Sequence, residues 1–345
     1  MPTRDPSSTG PVRVLVTGAG GPAAVGVLRL AARADVEFHA ADIDPCAAGL
    51  YLVPAAARVL VPRGDDPEFA STVLQLCRDR GISVVIPTVD SELPALAAQR
   101  DAFAAAGVRL VLAPTQTLAA CLDKARLAEV CAGHTLVPTT EILTVGTEVP
   151  YPSIVKPREG SGSRGVRLVR CAEDLVGVPM DGTFLVQEYL PGDEFSVDVF
   201  VRADGQVVAA VPRTRDRVDS GVAVAGRTVA SAELIDAATD VARAIGLRGV
   251  GNVQLRRTAD GRAALLEVNP RFPGTLVLTA AAGANLAALA LADVLGEAVP
   301  DRVDFREVAV VRHLAEVVVE LEAYQQVASA PSPEVMVSSG AEAVA

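Results

Sequence analysis

Lysine is nearly absent from this chain: Lys124 and Lys156 stand against 29 arginines. A background that fills basic positions with arginine keeps lysine where a compact point charge serves better than a planar fork. A single phosphate oxygen in a crowded pocket is such a place. Tryptophan is missing and aromatics make up 3% of the 345 residues, which removes the stacking platforms that single-stranded nucleic acid needs. Positive charge is in deficit, 31 basic against 42 acidic residues with a net charge of −11. No surface for a phosphate backbone is expected, and an anionic ligand must meet a local cationic pocket instead. Three histidines and five cysteines (Cys46, Cys77, Cys121, Cys131, Cys171), with no Cys-x-x-Cys pair, are poor material for a zinc site or a disulfide framework. Long apolar runs are lacking too. The richest stretch, 276–295, is Ala-dominated and broken by Asn285 and Asp293, so it reads as one buried helix rather than a membrane span. The polar first ten residues contain no signal-like apolar region. The expectation is a soluble cytoplasmic protein with reduced thiols, no nucleic-acid or membrane partner, and room for a homodimer.

With 50% hydrophobic residues, the length suffices for two or three packed units. The first third alternates: strand 12–17, helix 23–32, strand 37–42, helix 67–80, strand 83–87, helix 92–106, strand 108–112. Such alternation predicts a parallel sheet with right-handed crossovers, the α/β class. Thr17-Gly-Ala-Gly-Gly21 sits where a strand enters a helix, and Asp42 ends the next strand. This pair invites an NAD-binding reading, although the glycine spacing departs from the usual fingerprint, with no glycine at position 23. Asp90 and Glu92 follow a strand's carboxyl end, where a substrate amino group can be recognised and where helix capping is the competing role.

Asp260-Gly261 between two apolar-rich runs predicts a hairpin. With those two residues as the loop, Gln254 faces Glu267 and Asn252 faces Asn269. All four then share one face, and Val253, Leu255, Leu266 and Val268 share the core face. Oxygen ligands from Glu267 and Asn269, with Gln254 as a third, converge on one point and leave room for phosphate and water. That describes a magnesium site, with manganese as the alternative ion. Upstream, a strand ending in Lys156 leads into Gly160-Ser-Gly-Ser-Arg-Gly165 and a second strand at 166–170. Strand, glycine loop, strand is a flap whose backbone N–H groups can close over phosphates. Lys124 lies in a helix-rich stretch, 115–133. Arg213, Arg215 and Arg217 recur at alternate positions and can present one cationic face to a substrate carboxylate or phosphate.

Lys124, Val155-Lys-Pro157, the loop 160–165, Val186-Gln-Glu-Tyr-Leu190, Glu194-Phe-Ser-Val-Asp198 and Leu266-Glu-Val-Asn-Pro-Arg271 stand in an order that resembles the ATP-grasp family. The likeness is to single units of the carbamoyl-phosphate synthase large-subunit type and stand-alone carboxylate–amine ligases, over roughly residues 12–320. The resemblance implies a Rossmann-like preliminary domain (12–113) and a two-lobed α+β ATP-grasp fold. Its small lid subdomain would be 114–183 and its large subdomain 184–323. The Ala/Ser/Pro/Glu-rich composition of 324–345 predicts a disordered tail. The resemblance also implies that Lys124, Lys156, Gly160, Ser161, Gly162, Ser163, Gly165 and Gln254 contact ATP phosphates and metal. The segment Gln187, Glu188, Tyr189 and Leu190 would meet adenine, with Glu188 near the exocyclic amine and Glu194 on the ribose hydroxyls. Lys156 and Arg271 would serve the chemistry, and Asp90, Glu92, Arg213 and Arg215 the substrate. The implied reaction joins a small carboxylate, of amino-acid type, to an amine through an acyl phosphate, with ADP and phosphate released. An NAD-dependent oxidoreductase and a nucleotide-binding module without turnover are the competing readings.

Overall fold

The computed structural model describes residues 10–328 except Ser161, Ser163 and Ser220. Strands β1 (Val12–Thr17), β2 (Val36–Asp42), β3 (Arg58–Leu60), β4 (Val84–Ile86) and β5 (Arg109–Leu110) form one parallel sheet in the order β3-β2-β1-β4-β5. Strand β1 shows why the layer is double-wound. Val14 and Val16 pack on Ala24 and Val27 of the helix Pro22–Leu30, while Leu15 packs on Phe69 and Val73 of the opposite helix, Phe69–Arg80. Both faces are buried from Val14 to Val16, so that run is continuously apolar rather than alternating. The short edge strand β3 had no sequence expectation. The expected helix 92–106 is two helices, Leu93–Ala98 and Arg100–Ala105, parted at Gln99.

Strands β6 (Thr140–Thr144), β7 (Ser153–Pro157), β8 (Arg167–Val169) and β9 (Asp181–Glu188) make a small antiparallel sheet, β6-β9-β7-β8, over a core of Leu143, Val155, Val169 and Val186. The division expected at 183/184 falls inside β9, which pairs with β6 and β7 along its length. The helix-rich stretch 115–133 holds two helices, Thr115–Leu122 and Lys124–Cys131, parted at Asp123. Asp123 takes extended backbone and caps the second helix by accepting from Ala125 N at 2.9 Å.

The sheet that carries the site contains β10 (Glu194–Val201), β11 (Val207–Thr214), β14 (Gly249–Arg257) and β15 (Ala263–Asn269), in the order β11-β10-β14-β15. Between them in sequence, β12 (Arg217–Asp219) and β13 (Val222–Arg227) pair with each other, and β13 also pairs with β16 (Ala309–Val311). One face of the large sheet packs Val197, Val199, Val253, Leu255 and Val268 against the helix Ala232–Ala244. The other face is polar around Gln254 and Glu267, while further along it Phe200, Ala209, Val211 and Val250 join a core with the helix Leu286–Leu295.

The β14–β15 register is as expected at the site but not at the turn. Gln254 faces Glu267 and Asn252 faces Asn269, yet Leu255 faces Leu265. The loop is longer than Asp-Gly: Thr258 and Gly261 close it through Thr258 N to Arg262 O and Gly261 N to Thr258 O, with Gly261 at φ +84°. A three-residue loop ending in a left-handed glycine shifts the register by one. A bulge between the site and the turn shifts it back. The correction falls on Leu266. It leaves the core face to Leu265, which is 2% exposed, and lines the cleft instead.

The stretch 276–295 is two helices, Leu276–Ala281 and Leu286–Leu295. They part at Gly283, whose φ of +116° only glycine adopts freely, and Asn285 caps the second by accepting from Ala288 N. The tail expected from 324 is helical as far as it is described. Leu321–Ala328 is a helix, and Tyr324 stacks on Tyr51 at 6.0 Å between centroids. Residues 329–345 lie outside the described residues. Among the described residues, no helix is long and apolar enough to cross a membrane.

Candidate active site

Strand alternation and register build the polar face row by row. Arg213 faces Ser196, Ser196 faces Gln254, and Gln254 faces Glu267, so one row crosses all four strands. In the next row Asp198 faces Asn252, which faces Asn269. On the other side Glu194 faces Arg256 and forms a salt bridge with Arg215 Nε at 3.0 Å, with Arg256 Nη1 at 3.9 Å.

The small sheet leans over this face and delivers the lysine. Lys156, 6% exposed, donates from Nζ to Gln187 Oε1 at 2.9 Å and reaches Leu266 O at 3.5 Å. Gln187 is fixed for that role because its Nε2 donates to Thr140 Oγ1 at 2.9 Å. Burial pushes the Lys156 ammonium down to about 8, with Glu267 pulling it up and Lys124 pushing it further down. Lys124 donates from Nζ to Gly160 O at 2.8 Å, tying the helix Lys124–Cys131 to the base of the glycine loop. Below it, Asp123 accepts from Arg158 Nη2 at 2.6 Å. Gly160, Gly162 and Gly165 all take positive φ, and Ser161 and Ser163 lie outside the described residues.

One cleft therefore collects Lys124, Lys156, Gly160, Gln187, Glu194, Gln254 and Glu267, with Glu188, Tyr189 and Leu190 along its rim and Leu266 and Ile154 as apolar walls. Glu188 spends one oxygen on Thr139 N at 3.2 Å. Gln254, Glu267 and Asn269 form no side-chain hydrogen bond or ion pair with another described residue. Three unspent oxygen donors, one of them a carboxylate, suit a magnesium ion that keeps water and phosphate ligands. They fall short of a cage made by protein alone, and no cluster of three or more His, Cys, Asp or Glu exists among the described residues.

Arg271 and Asp90, expected in separate roles, are brought together. Arg271 Nε and Nη2 each donate to Asp90 at 2.7 Å, a bidentate bridge from the first domain to the end of β15. Arg213 is not the exposed cation its spacing suggests: it is 2% exposed and bound to the fully buried Asp198. Arg217 is exposed and stands apart from it. Sequence reading gave Asp198, Asn252 and Thr275 no role. A charge set between Val197 and Val199 in a buried strand was the available signal, because such a charge persists only when paired.

Glu92 is corrected outright, since it does not line the cleft. It is 5% exposed beneath β1, accepting from Thr17 Oγ1 at 2.6 Å and from Val89 N at 3.4 Å, so the capping role prevails. Burial pushes its carboxyl from the ordinary 4.5 up to about 7. A raised carboxyl stabilises the fold below pH 4.5 and loses that contribution as pH rises through 7, by roughly 3 kcal/mol in all. The melting temperature of the wild type is expected to fall between pH 5 and 8 and that of Glu92→Gln to stay flatter. Parallel profiles in scanning calorimetry would contradict the assignment.

The glycine turn of the first domain is closed on itself. Asp42 accepts from Gly20 N at 2.7 Å and from Asp44 N at 2.9 Å, so the carboxylate an NAD ribose would need is already engaged.

The matches to known proteins follow the same division. Residues 181–317 match the family model described as "ATP-grasp in the biosynthetic pathway with Ter operon". The chain carries an ATP-grasp domain. Ahead of it, residues 14–111 match the PylC-like N-terminal domain. The arginine-specific carbamoyl phosphate synthase large chain of Geobacillus stearothermophilus is 27% identical over 177 residues, 48% of this chain and 17% of that protein. Carnosine synthase 1 of Gallus gallus is 33% identical over 156 residues, 36% of this chain and 16% of that protein. The chain thus aligns with about a sixth of the length of these relatives. Biotin carboxylase from Campylobacter jejuni, solved as a β-γ-ATP complex, superposes with a TM-score of 0.71 over 86% of this chain and 74% of that one. At 16% identity that likeness establishes the fold alone.

Proposed function

We propose that this ATP-grasp protein is an ATP- and magnesium-dependent carboxylate–amine ligase acting on small molecules of amino-acid type. The observation that carries the reading is the meeting of the buried Lys156 with the unspent oxygens of Gln254 and Glu267 in one cleft, with Asn269 beside Glu267 on the cavity that adjoins it. The purine would lie between Ile154, Leu190 and Leu266, along the backbone of Gln187, Glu188 and Tyr189. Glu194, oriented by Arg215 and Arg256, keeps acceptor capacity for the two ribose hydroxyls. Lys124 and Lys156 would neutralise the α/β side of the polyphosphate. Glu267 and Asn269, with Gln254, would hold magnesium, which when bound supplies charge neutralisation at the β/γ oxygens.

In the first step a substrate carboxylate oxygen bonds to the γ-phosphorus as the bond to the β,γ-bridging oxygen breaks, giving an acyl phosphate and ADP. An amine then bonds to the acyl carbon, phosphate leaves, and the amine's excess proton passes to solvent. Such transfers need positioning and charge neutralisation more than a protein nucleophile. Arg271, held by Asp90, would stand by the transferred group, and the flap over Lys124 would keep water from the acyl phosphate.

The direct assay supplies Mg-ATP with pairs of amino acids and reads ADP, phosphate and amide. Release of ADP and phosphate together with an amide, only when a carboxylate is present, is expected. ATP binding without turnover across the panel would favour the regulatory module.

A further inference from the structure

Past β16 (Ala309–Val311) the chain runs without a turn or bend from Arg312 to Glu320. It then enters the helix Leu321–Ala328, which returns to the first domain through Tyr324 on Tyr51. From His313 to Val319 no backbone group bonds another described residue. The composition is not that of a linker, because Leu314-Ala-Glu-Val-Val-Val319 ends in three β-branched residues and holds no glycine, serine or proline. Leu314 is 93% and Val318 92% exposed, the highest values for large apolar side chains among the described residues, and Val311 is 79% exposed. A straight, apolar, unpaired stretch of this kind is a template for another strand.

The strand before it is also open on one side. In the sheet order β12-β13-β16, β16 is an edge. Arg312 N donates to Val224 O and Thr228 N donates to Val308 O, so the even-numbered residues of this strand aim their backbone groups at β13. In an antiparallel ladder the residues between them turn theirs away. Ala309, Val311 and, continuing the alternation, His313 present an edge that no described residue pairs. Each copy of the chain thus holds an open edge at 309–313 and, directly after it, an unpaired stretch at 315–319.

We infer that these two stretches pair with each other between two copies of this chain, antiparallel about a twofold axis at Leu314. Leu314 then faces its own counterpart, His313 faces Ala315, Arg312 faces Glu316, Val311 faces Val317 and Val310 faces Val318. The ladder bonds fall on odd-numbered residues in both copies, in phase with the open edge. Arg312 donates to Gly274 O and has no carboxylate partner among the described residues, and Glu316 has no hydrogen bond or ion pair with any of them. The two charges complement each other twice across the axis. Moving the axis by one residue sets Glu316 against Leu314 or Val310 instead, and moving it to residue 316 sets Glu316 against itself. This self-complementarity of charge and apolar residues selects a second copy as the occupant and fixes the register. The sheet becomes continuous through both copies and covers Val311, Leu314 and Val318.

Sedimentation velocity on the full chain at micromolar concentrations is expected to show a dimer. Val317→Pro removes a ladder donor on each side of the axis. It should raise the dissociation constant about tenfold or more, with circular dichroism unchanged, because Val317 N bonds no described residue of its own chain. Leu314→Cys reads the register directly. Cα atoms of a non-hydrogen-bonded antiparallel pair lie about 4.5 Å apart, within disulfide reach. Oxidation should link Leu314→Cys into a covalent dimer. The wild type, whose exposed thiols are Cys46 and Cys171, and Val318→Cys, opposite Val310, should stay unlinked. A monomer at every concentration overturns the inference. If removing residues 329–345 then produces a dimer, the tail occupies the edge in place of a second copy. A dimer of unchanged affinity in Val317→Pro, or linkage of Val318→Cys but not of Leu314→Cys, puts the contact elsewhere and overturns it as well.

Discussion

Glu267→Gln is expected to leave a folded protein whose turnover is lower by about 10²–10³-fold, the size of loss seen when one preorganised electrostatic contact is removed. The amide keeps the shape and one oxygen but withdraws the negative charge from the site where Gln254, Glu267 and Asn269 meet. The fold should survive because the opposite face of β15, through Leu265 and Val268, is untouched. One residue along, the outcome inverts. Val268 is 3% exposed in the core, and Val268→Glu buries an uncompensated charge at a cost of order 3–5 kcal/mol. That is a large part of the roughly 5–15 kcal/mol holding a typical domain folded. Thermal melts and ADP-release rates on the two variants separate chemistry from folding. Full activity in folded Glu267→Gln, or an undisturbed melt for Val268→Glu, would contradict this assignment of the two faces.

Lys156→Met should weaken Mg-ATP binding by roughly ten- to a hundredfold, the worth of one buried charge-assisted contact. The same variant carries a pH signature. The folded pKa of Lys156 is about 8 against an ordinary 10.5, so between these values the unfolded chain binds the extra proton. Wild-type stability therefore rises with pH across that window, and Lys156→Met should lose the rise. Wild-type Mg-ATP affinity should fall over the same range as the ammonium discharges. Titration calorimetry at several pH values and chemical denaturation read both. Unchanged affinity in the folded variant would remove Lys156 from the phosphate pocket.

Much of this architecture was legible in the sequence because it is written in short-range patterns. Alternating strand and helix in the first third gave the parallel sheet, and the polar-apolar alternation around Gln254 and Glu267 gave the facing pairs that the register shows. The misreadings come from short breaks. Gln99, and residues 282–285 around Gly283, each divide a stretch whose composition reads as one helix. The β14–β15 loop is longer than Asp-Gly, and only a compensating bulge restored the pairing at the site, at the expense of Leu266. Long-range partners were beyond local pattern altogether. Nothing near Arg213 in sequence announces that Asp198, Asn252 and Thr279 converge there, or that Arg271 reaches Asp90 across 181 positions. Glu92 failed for the opposite reason: helix capping, the competing role from the start, took it through a local contact to Val89.

Hydrogen exchange with and without a non-hydrolysable Mg-ATP analogue tests the placement of the nucleotide most directly, because it reports every segment of the chain at once. Added protection is expected at Lys156 to Gly160, at Gln187 to Leu190 and at Leu266 to Asn269, the three segments that line the cleft between the small and large sheets. Protection confined to the Thr17–Gly21 turn and Asp42, with those three segments unchanged, would put the nucleotide on the first domain and contradict the account.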